Sequence, residues 1–150
     1  MARQRSKKCT YNGLNFDSIT ERDYYKVLEL RQKNKEISDL ETQKKFVLQE
    51  GFRLNDKAIK PITYSADQVY IENGKIHVTD VKGSEFTVEE TFKIKFKMLK
   101  NLHRDYVYHV VIRYNGVWFD LENKEDKLKY KELKKKKKLE RESKKKKQGI

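Results

Sequence analysis

The dipeptide Asn73-Gly74 lies between two runs rich in Ile, Val, Tyr and Thr, and no other feature constrains the fold of this chain as strongly. Asn-Gly favours a two-residue type I′ loop, so the flanking runs must fold back as an antiparallel hairpin from about Ile62 to Lys82, with Gly83 ending it. Counting outward from the loop pairs Glu72 with Lys75, Ile71 with Ile76, Val69 with Val78 and Asp67 with Asp80. Side chains alternate faces along a strand. One face is therefore expected to carry Asp67, Val69, Ile71, Ile76, Val78, Asp80 and Lys82, and the other Gln68, Tyr70, Glu72, Lys75, His77 and Thr79.

The apolar face is the core face, and it brings two carboxylates opposite each other. Directly opposed β-carbons lie about 4.5 to 5.5 Å apart, so Asp67 and Asp80 repel in a poorly screened setting. A divalent cation offsets that repulsion; Mg²⁺ is held by one or two carboxylates together with water and phosphate oxygens. Lys82, on the same face, is placed to orient a water or to stabilise phosphoryl charge. The competing structural reading has Asp67 ending a turn and Asp80 paired with Lys82, without a metal.

Asp67 followed by Asp80-Val81-Lys82 resembles the PD-(D/E)xK nuclease superfamily. The segment Tyr64-Ser65-Ala66-Asp67 lacks the proline that often precedes the first Asp, and Pro61 is too far upstream to replace it. The wider order YNGLNFDSITERDYY, YSADQVY and DVKG, over most of residues 11 to 120, is similar to a family of small phage and prophage proteins likened to Holliday junction resolvases. The resemblance implies a restriction-endonuclease-like α/β core, a mixed central sheet flanked by helices, and Mg²⁺-dependent hydrolysis of DNA phosphodiesters, with Mn²⁺ as a substitute. Branched DNA is among the implied substrates, and a resolvase would act as a homodimer because it cuts two strands symmetrically. Asp67 and Asp80 would ligate the metal, the Val81 carbonyl would add a ligand, and Lys82 would position the attacking water.

The superfamily also uses an acid on its first helix, and Glu21 matches it. Glu21, Tyr24, Tyr25 and Leu28 keep the i, i+3, i+4, i+7 spacing, so Glu21 extends the apolar face of a helix running from about Ser18 to Lys33, with Asn34 as its stop. In that role it binds a second metal or orients a water. Equally, Ser18-Ile19-Thr20-Glu21 reads as a capping box in which Glu21 only closes the helix start.

Charge is distributed unevenly. The chain of 150 residues carries a formal net charge of +13. Residues 1 to 10 contribute +4 through Arg3, Arg5, Lys7 and Lys8, and residues 121 to 150 contribute +8, leaving the centre at +1. Cationic ends on a nearly neutral body suit a polyanion, and nucleic acid is the natural partner. Lys134, Lys135, Lys136, Lys137 and Lys138 are the densest candidate contacts; a purely solubilising tail is the alternative.

The length supports one domain, with a basic arm at 1–13, a nuclease-like domain at 14–120 and a Lys-rich helix or tail at 121–150 that has no apolar stripe to dock. No apolar run spans a membrane and the start is not signal-like, so a cytoplasmic protein is expected. The single Cys9 forms no intramolecular disulfide, and His77, His103 and His109 are scattered, with no zinc spacing.

Residues 35 to 44 read as a polar loop, followed by a strand from Phe46. Residues 87 to 103 fit both periods, yet Thr87-Val88-Glu89-Glu90 reads as a capping box and a crossover between strands needs a helix, so a helix is expected. Its lysines Lys93, Lys97 and Lys100 form a basic face. The resemblance nominates Lys95 as a further site group on that helix; a solvated lysine is the alternative. Tyr106 to Tyr114 reads as a central strand and Asn115-Gly116 as a turn. Two other classes remain: a DNA-binding accessory protein with a degenerate, non-catalytic nuclease fold, and an RNA-binding protein that stacks bases on its tyrosines, although no aromatic-glycine ribonucleoprotein motif is present.

Overall fold

The computed structural model describes residues 7–149. A small hairpin, β1 (Cys9–Tyr11) and β2 (Leu14–Phe16), turns on Asn12-Gly13, so the basic arm ends in ordered structure. Then come α1 (Ile19–Lys33), β3 (Ser38–Gln49), β4 (Phe52–Leu54), β5 (Lys57–Ile59), β6 (Ile62–Glu72) and β7 (Lys75–Lys82). A 3₁₀ turn at Glu85–Thr87 leads into α2 (Glu90–Leu102), β8 (Val107–Tyr114), β9 (Val117–Asp120) and α3 (Lys124–Gln148).

Five strands form a mixed sheet in the order β3-β6-β7-β8-β9. All neighbours are antiparallel except β7 and β8, and α2 supplies the crossover that a parallel pair requires. The fold is α/β, as expected. The β6–β7 register is also the expected one, from Glu72↔Lys75 to Gln68↔Thr79.

Helices cover both faces. Val69 of β6 packs with Val78, Val110 and the α2 residues Phe96 and Leu99, whereas the adjacent Tyr70 packs with Leu28 of α1 and with Ile37. Neighbouring residues on a strand point to opposite faces, so α1 and α2 lie on opposite sides of the sheet. An ion pair between Asp23 and Arg113, at 2.8 Å, and edge-to-face packing of Tyr24 on Trp118 hold α1 against the far strands.

Three local expectations are corrected. β3 begins at Ser38, inside the stretch read as a loop, because pairing with β6 supplies what its polar residues lack in strand propensity. The cap of α2 is Glu89, and the capping box belongs to Ser84 and Thr87 of the preceding turn. The C-terminal helix does dock: Tyr130 is 3% exposed and packs against Ile112 and Phe119 with Leu133 beside it. A single aromatic with one leucine is too sparse a stripe to read from a lysine-rich sequence.

Strict alternation also fails at one place. Tyr64 and Ala66 share a cluster with Val69, although even and odd positions of one strand should face apart. Across the ladder, Phe46 and Leu48 of β3 pack with that same cluster while Leu40 packs with the α1 cluster. Both strands change phase between these residues, where Gln43 has φ 52° and Asp67 sits between Ala66 and Gln68. The left-handed Gln43 lets β3 swap faces, and β6 follows at Asp67.

Candidate active site

Asp67 lies at the phase change rather than on the predicted face. The β6–β7 ladder ends at Gln68↔Thr79, so Asp67 and Asp80 are not a ladder pair. Instead Asp67 Oδ2 accepts the backbone N–H of Val81 at 2.7 Å, while Gln43 Nε2 lies 3.4 Å from Oδ1. Because the strand swaps faces here, Asp67 reaches Glu21 on the α1 side and still feels Asp80 on the α2 side. Burial, then the Glu21 carboxyl hydrogen-bonded beside it and the charge of Asp80, push the Asp67 carboxyl well above the usual carboxylate range, against the pull of the Val81 N–H.

Asp80 is 5% exposed near the C-terminal end of β7. Its Oδ2 accepts the Tyr64 hydroxyl at 2.6 Å, and its Oδ1 pairs with Lys82 Nζ at 2.8 Å. Burial and the charge of Asp80 push the Tyr64 phenol upward, so it stays a donor. Lys82 Nζ also rests 3.8 Å from the centre of the Phe92 ring, which makes Phe92 the α2 residue that meets the site.

Glu21 sits at the helix start with its carboxyl beside Asp67, bonded to Asp17 rather than to the N-cap Ser18 that a capping box would use. Its N–H is capped by Ser18 Oγ at 3.0 Å, and its Oε2 accepts the Asp17 N–H at 3.1 Å. With the cap closed, the carboxyl is 5% exposed and still lies beside Asp67. Gln68 Nε2 approaches the Glu21 carbonyl at 3.4 Å, and Gln68 Oε1 is buried with no hydrogen-bond partner among the described residues.

Glu21, Asp67, Asp80, Val81 and Lys82 are thus gathered where α1, β6 and β7 meet. Among the described residues no three Asp, Glu, His or Cys side chains stand as a formed metal cage, and Lys82 and Tyr64 engage Asp80. The donor set nevertheless fits a hard cation. It consists of carboxylate oxygens, and Asp67 is pushed towards protonation, the state that a neighbouring cation would reverse.

The other candidates fall elsewhere. Lys95 lies beside Pro61, Ile62, Thr63 and Thr91 at the start of β6, away from Asp67 and Asp80. Lys7 and Lys8 are exposed, and Arg3 and Arg5 lie outside the described residues. Lys134 is tied to Glu85 and to the Tyr130 ring, which anchors α3. Lys135, Lys136 and Lys138 are exposed on the same helix, and Lys137 pairs with Glu140 at 3.6 Å.

Reading the sequence missed Tyr64, Gln43 and Phe92, whose roles depend on other strands or helices. It also missed a polar chain. His77 Nδ1 lies 2.8 Å from His109 Nε2, and His109 Nδ1 lies 2.6 Å from Asp120 Oδ2. The Asp120 carboxylate calls for a proton on His109 Nδ1, leaving Nε2 as acceptor and His77 Nδ1 as donor. Tyr70 stacks on the His77 ring, with centroids 5.0 Å apart. The parallel β7–β8 register, His77↔Val107 and Thr79↔His109, draws the two histidines together.

A family model described as a protein of unknown function (DUF1064) matches residues 1–115. No curated protein and no solved structure matches the chain. Among the described residues no helix is long and apolar enough to cross a membrane.

Proposed function

We propose that this chain, which belongs to the DUF1064 family of proteins of unknown function, is a Mg²⁺-dependent DNA endonuclease with a restriction-endonuclease-like core. The observation that carries this reading is the placement of Asp67, held by the Val81 N–H at 2.7 Å beside Glu21 and Asp80, where burial and the two neighbouring acids favour its protonated form. A carboxyl whose pKa is raised by burial and by neighbouring acids is a mark of functional sites, and a cation would restore its ionised form.

Asp67 and Asp80 would hold the cation, with the Val81 carbonyl and Glu21 as further oxygen donors. When bound, Mg²⁺ supplies Lewis-acid polarisation of the phosphate and a water of lowered pKa. Tyr64 fixes the orientation of Asp80 through its 2.6 Å hydrogen bond. The Val81 N–H does the same for Asp67. Lys82, steadied over the Phe92 ring, presents its ammonium where phosphate oxygens gather charge and where an attacking water must be oriented. The exposed lysines of α3 and of the N-terminal segment add phosphate contacts that carry no sequence preference.

The experiment is incubation with linear duplex, single-stranded and four-way-junction DNA, each with Mg²⁺ or with EDTA. Cutting that needs Mg²⁺ and disappears in Asp80→Asn is expected. Binding without cutting in either Mg²⁺ or Mn²⁺ would overturn the reading.

A second reading has a specific observation behind it. Lys82 and Tyr64 together satisfy Asp80 without a cation, as a structural network would. A non-catalytic DNA-binding accessory protein with a nuclease-like fold is the function that arrangement favours, and binding without cutting is its signature.

A further inference from the structure

Between β3 and β6 the chain leaves the sheet and returns as a separate two-stranded ribbon. Every residue from Glu50 to Pro61 is exposed. β4 and β5 pair as Phe52↔Ile59, Arg53↔Ala58 and Leu54↔Lys57, closed by a two-residue turn in which Asn55 and Asp56 have φ 49° and 63°. At the base the strands cross tightly. A Cβ on Gly51 would stand 2.9 Å from the Ile59 carbonyl oxygen and 3.2 Å from Pro61 Cδ, so the approach requires glycine. The ribbon is therefore a defined projection.

Its two faces differ. Phe52, Leu54, Ile59 and the stem of Lys57 share one face, and the three apolar side chains are 47%, 57% and 37% exposed. The other face carries Arg53, whose guanidinium bonds the Asp56 carbonyl at 3.1 Å, and Lys60 stands at the base. Among the described residues no helix or sheet covers the apolar face.

We propose that this ribbon is a DNA wedge: Phe52, Leu54 and Ile59 insert against unstacked bases of distorted or branched DNA while Arg53, Lys57 and Lys60 hold the flanking phosphates. Apolar side chains are the residues that proteins slide between base steps, and a two-stranded ribbon has the width that a DNA groove admits. Charge and area favour DNA over a second copy of the chain. On the segment itself Arg53, Lys57 and Lys60 outnumber Glu50 and Asp56, so two copies of the ribbon repel while a polyanion is attracted. Three side chains also bury far less than the roughly 800 Å² per partner that a stable interface needs. Reach is suitable as well: eight residues separate Ile59 from Asp67, at most about 28 Å, or roughly eight base pairs. One DNA molecule can touch both.

The inference rests on the nuclease reading only in taking DNA as the partner, so its test is done in EDTA. A four-way junction with 2-aminopurine at the branch reports unstacking by fluorescence, and sedimentation reports oligomeric state. Wild type is compared with Phe52→Ser/Leu54→Ser/Ile59→Ser and with a form in which Asn-Gly joins Gln49 to Ile62, residues already paired across the ladder. Wild type is expected to brighten the probe. Both variants should keep the wild-type melting temperature, leave the probe dark and lose roughly tenfold in junction affinity, the scale of a lost base-stacking contact, with little change on plain duplex. Unchanged brightening and affinity in both variants would overturn the wedge, as would a wild-type dimer that the triple serine variant splits. If wild type brightens the probe yet never cuts with Mg²⁺, the nuclease reading falls and the wedge stands. If it binds no DNA, both fall.

Discussion

Asp67 closes the gap that the β6–β7 ladder leaves, its Oδ2 taking the Val81 N–H at 2.7 Å just beyond the last backbone pair, Gln68↔Thr79. That bond fixes the carboxyl between Glu21 and Asp80. On the proposed function, stability and chemistry pull on this side chain in opposite directions.

The first prediction follows from the sign of that conflict. The folded carboxyl of Asp67 has a raised pKa, so its stabilising contribution is complete below the usual value of 3.8 and is lost as pH rises through the folded value. In EDTA at neutral pH, Asp67→Asn should melt at or above wild type, since the amide oxygen still accepts from Val81. Mn²⁺ should raise the melting temperature of wild type and not of the variant. A variant melting far below wild type without metal, beside a wild type indifferent to Mn²⁺, would make these carboxylates purely structural.

Asp80→Asn and Lys82→Ala separate chemistry from grip. Both should abolish cutting while junction affinity stays within roughly tenfold, about 1.4 kcal/mol. Single-turnover cleavage and equilibrium binding measure the two quantities, and wild-type-like cutting by either variant would remove these residues from the site.

The C-terminal helix divides at its anchor. Tyr130→Ala should cost about 3 kcal/mol in urea unfolding, because the ring is buried against Ile112 and Phe119. Removing residues 138–150, beyond that anchor, should leave unfolding unchanged while flattening the dependence of log affinity on log salt. An unchanged salt slope would reduce the distal lysines to a solubilising role.

His77 supplies a pH test. Burial first, then the neighbouring His109, lowers its pKa, so the folded state favours the neutral ring. Its contribution is present above the unfolded value near 6.5 and is lost as pH falls towards the folded value. Between pH 7.5 and 5.5, wild type should lose more unfolding free energy than His77→Gln. Equal losses would place the acid sensitivity elsewhere.

Local chemistry in the chain was enough to specify the hairpin register, the Ser18 cap and length of α1, and the crossover helix α2. An Asn-Gly turn, a capping serine and the need to connect parallel strands each act within a few residues or follow from topology. The gathering of Glu21, Asp80 and Lys82 with Asp67 was legible as residue types in a pattern. How they meet was not. The face on which Asp67 lies depends on Gln43, a residue of another strand with φ 52°, and no alternation read along β6 alone registers a phase change imposed across the ladder. The same holds for Tyr64 on Asp80, for the His77–His109–Asp120 chain and for the docking of Tyr130. Each joins residues at least eleven positions apart, and only packing of the sheet and its helices sets their separation.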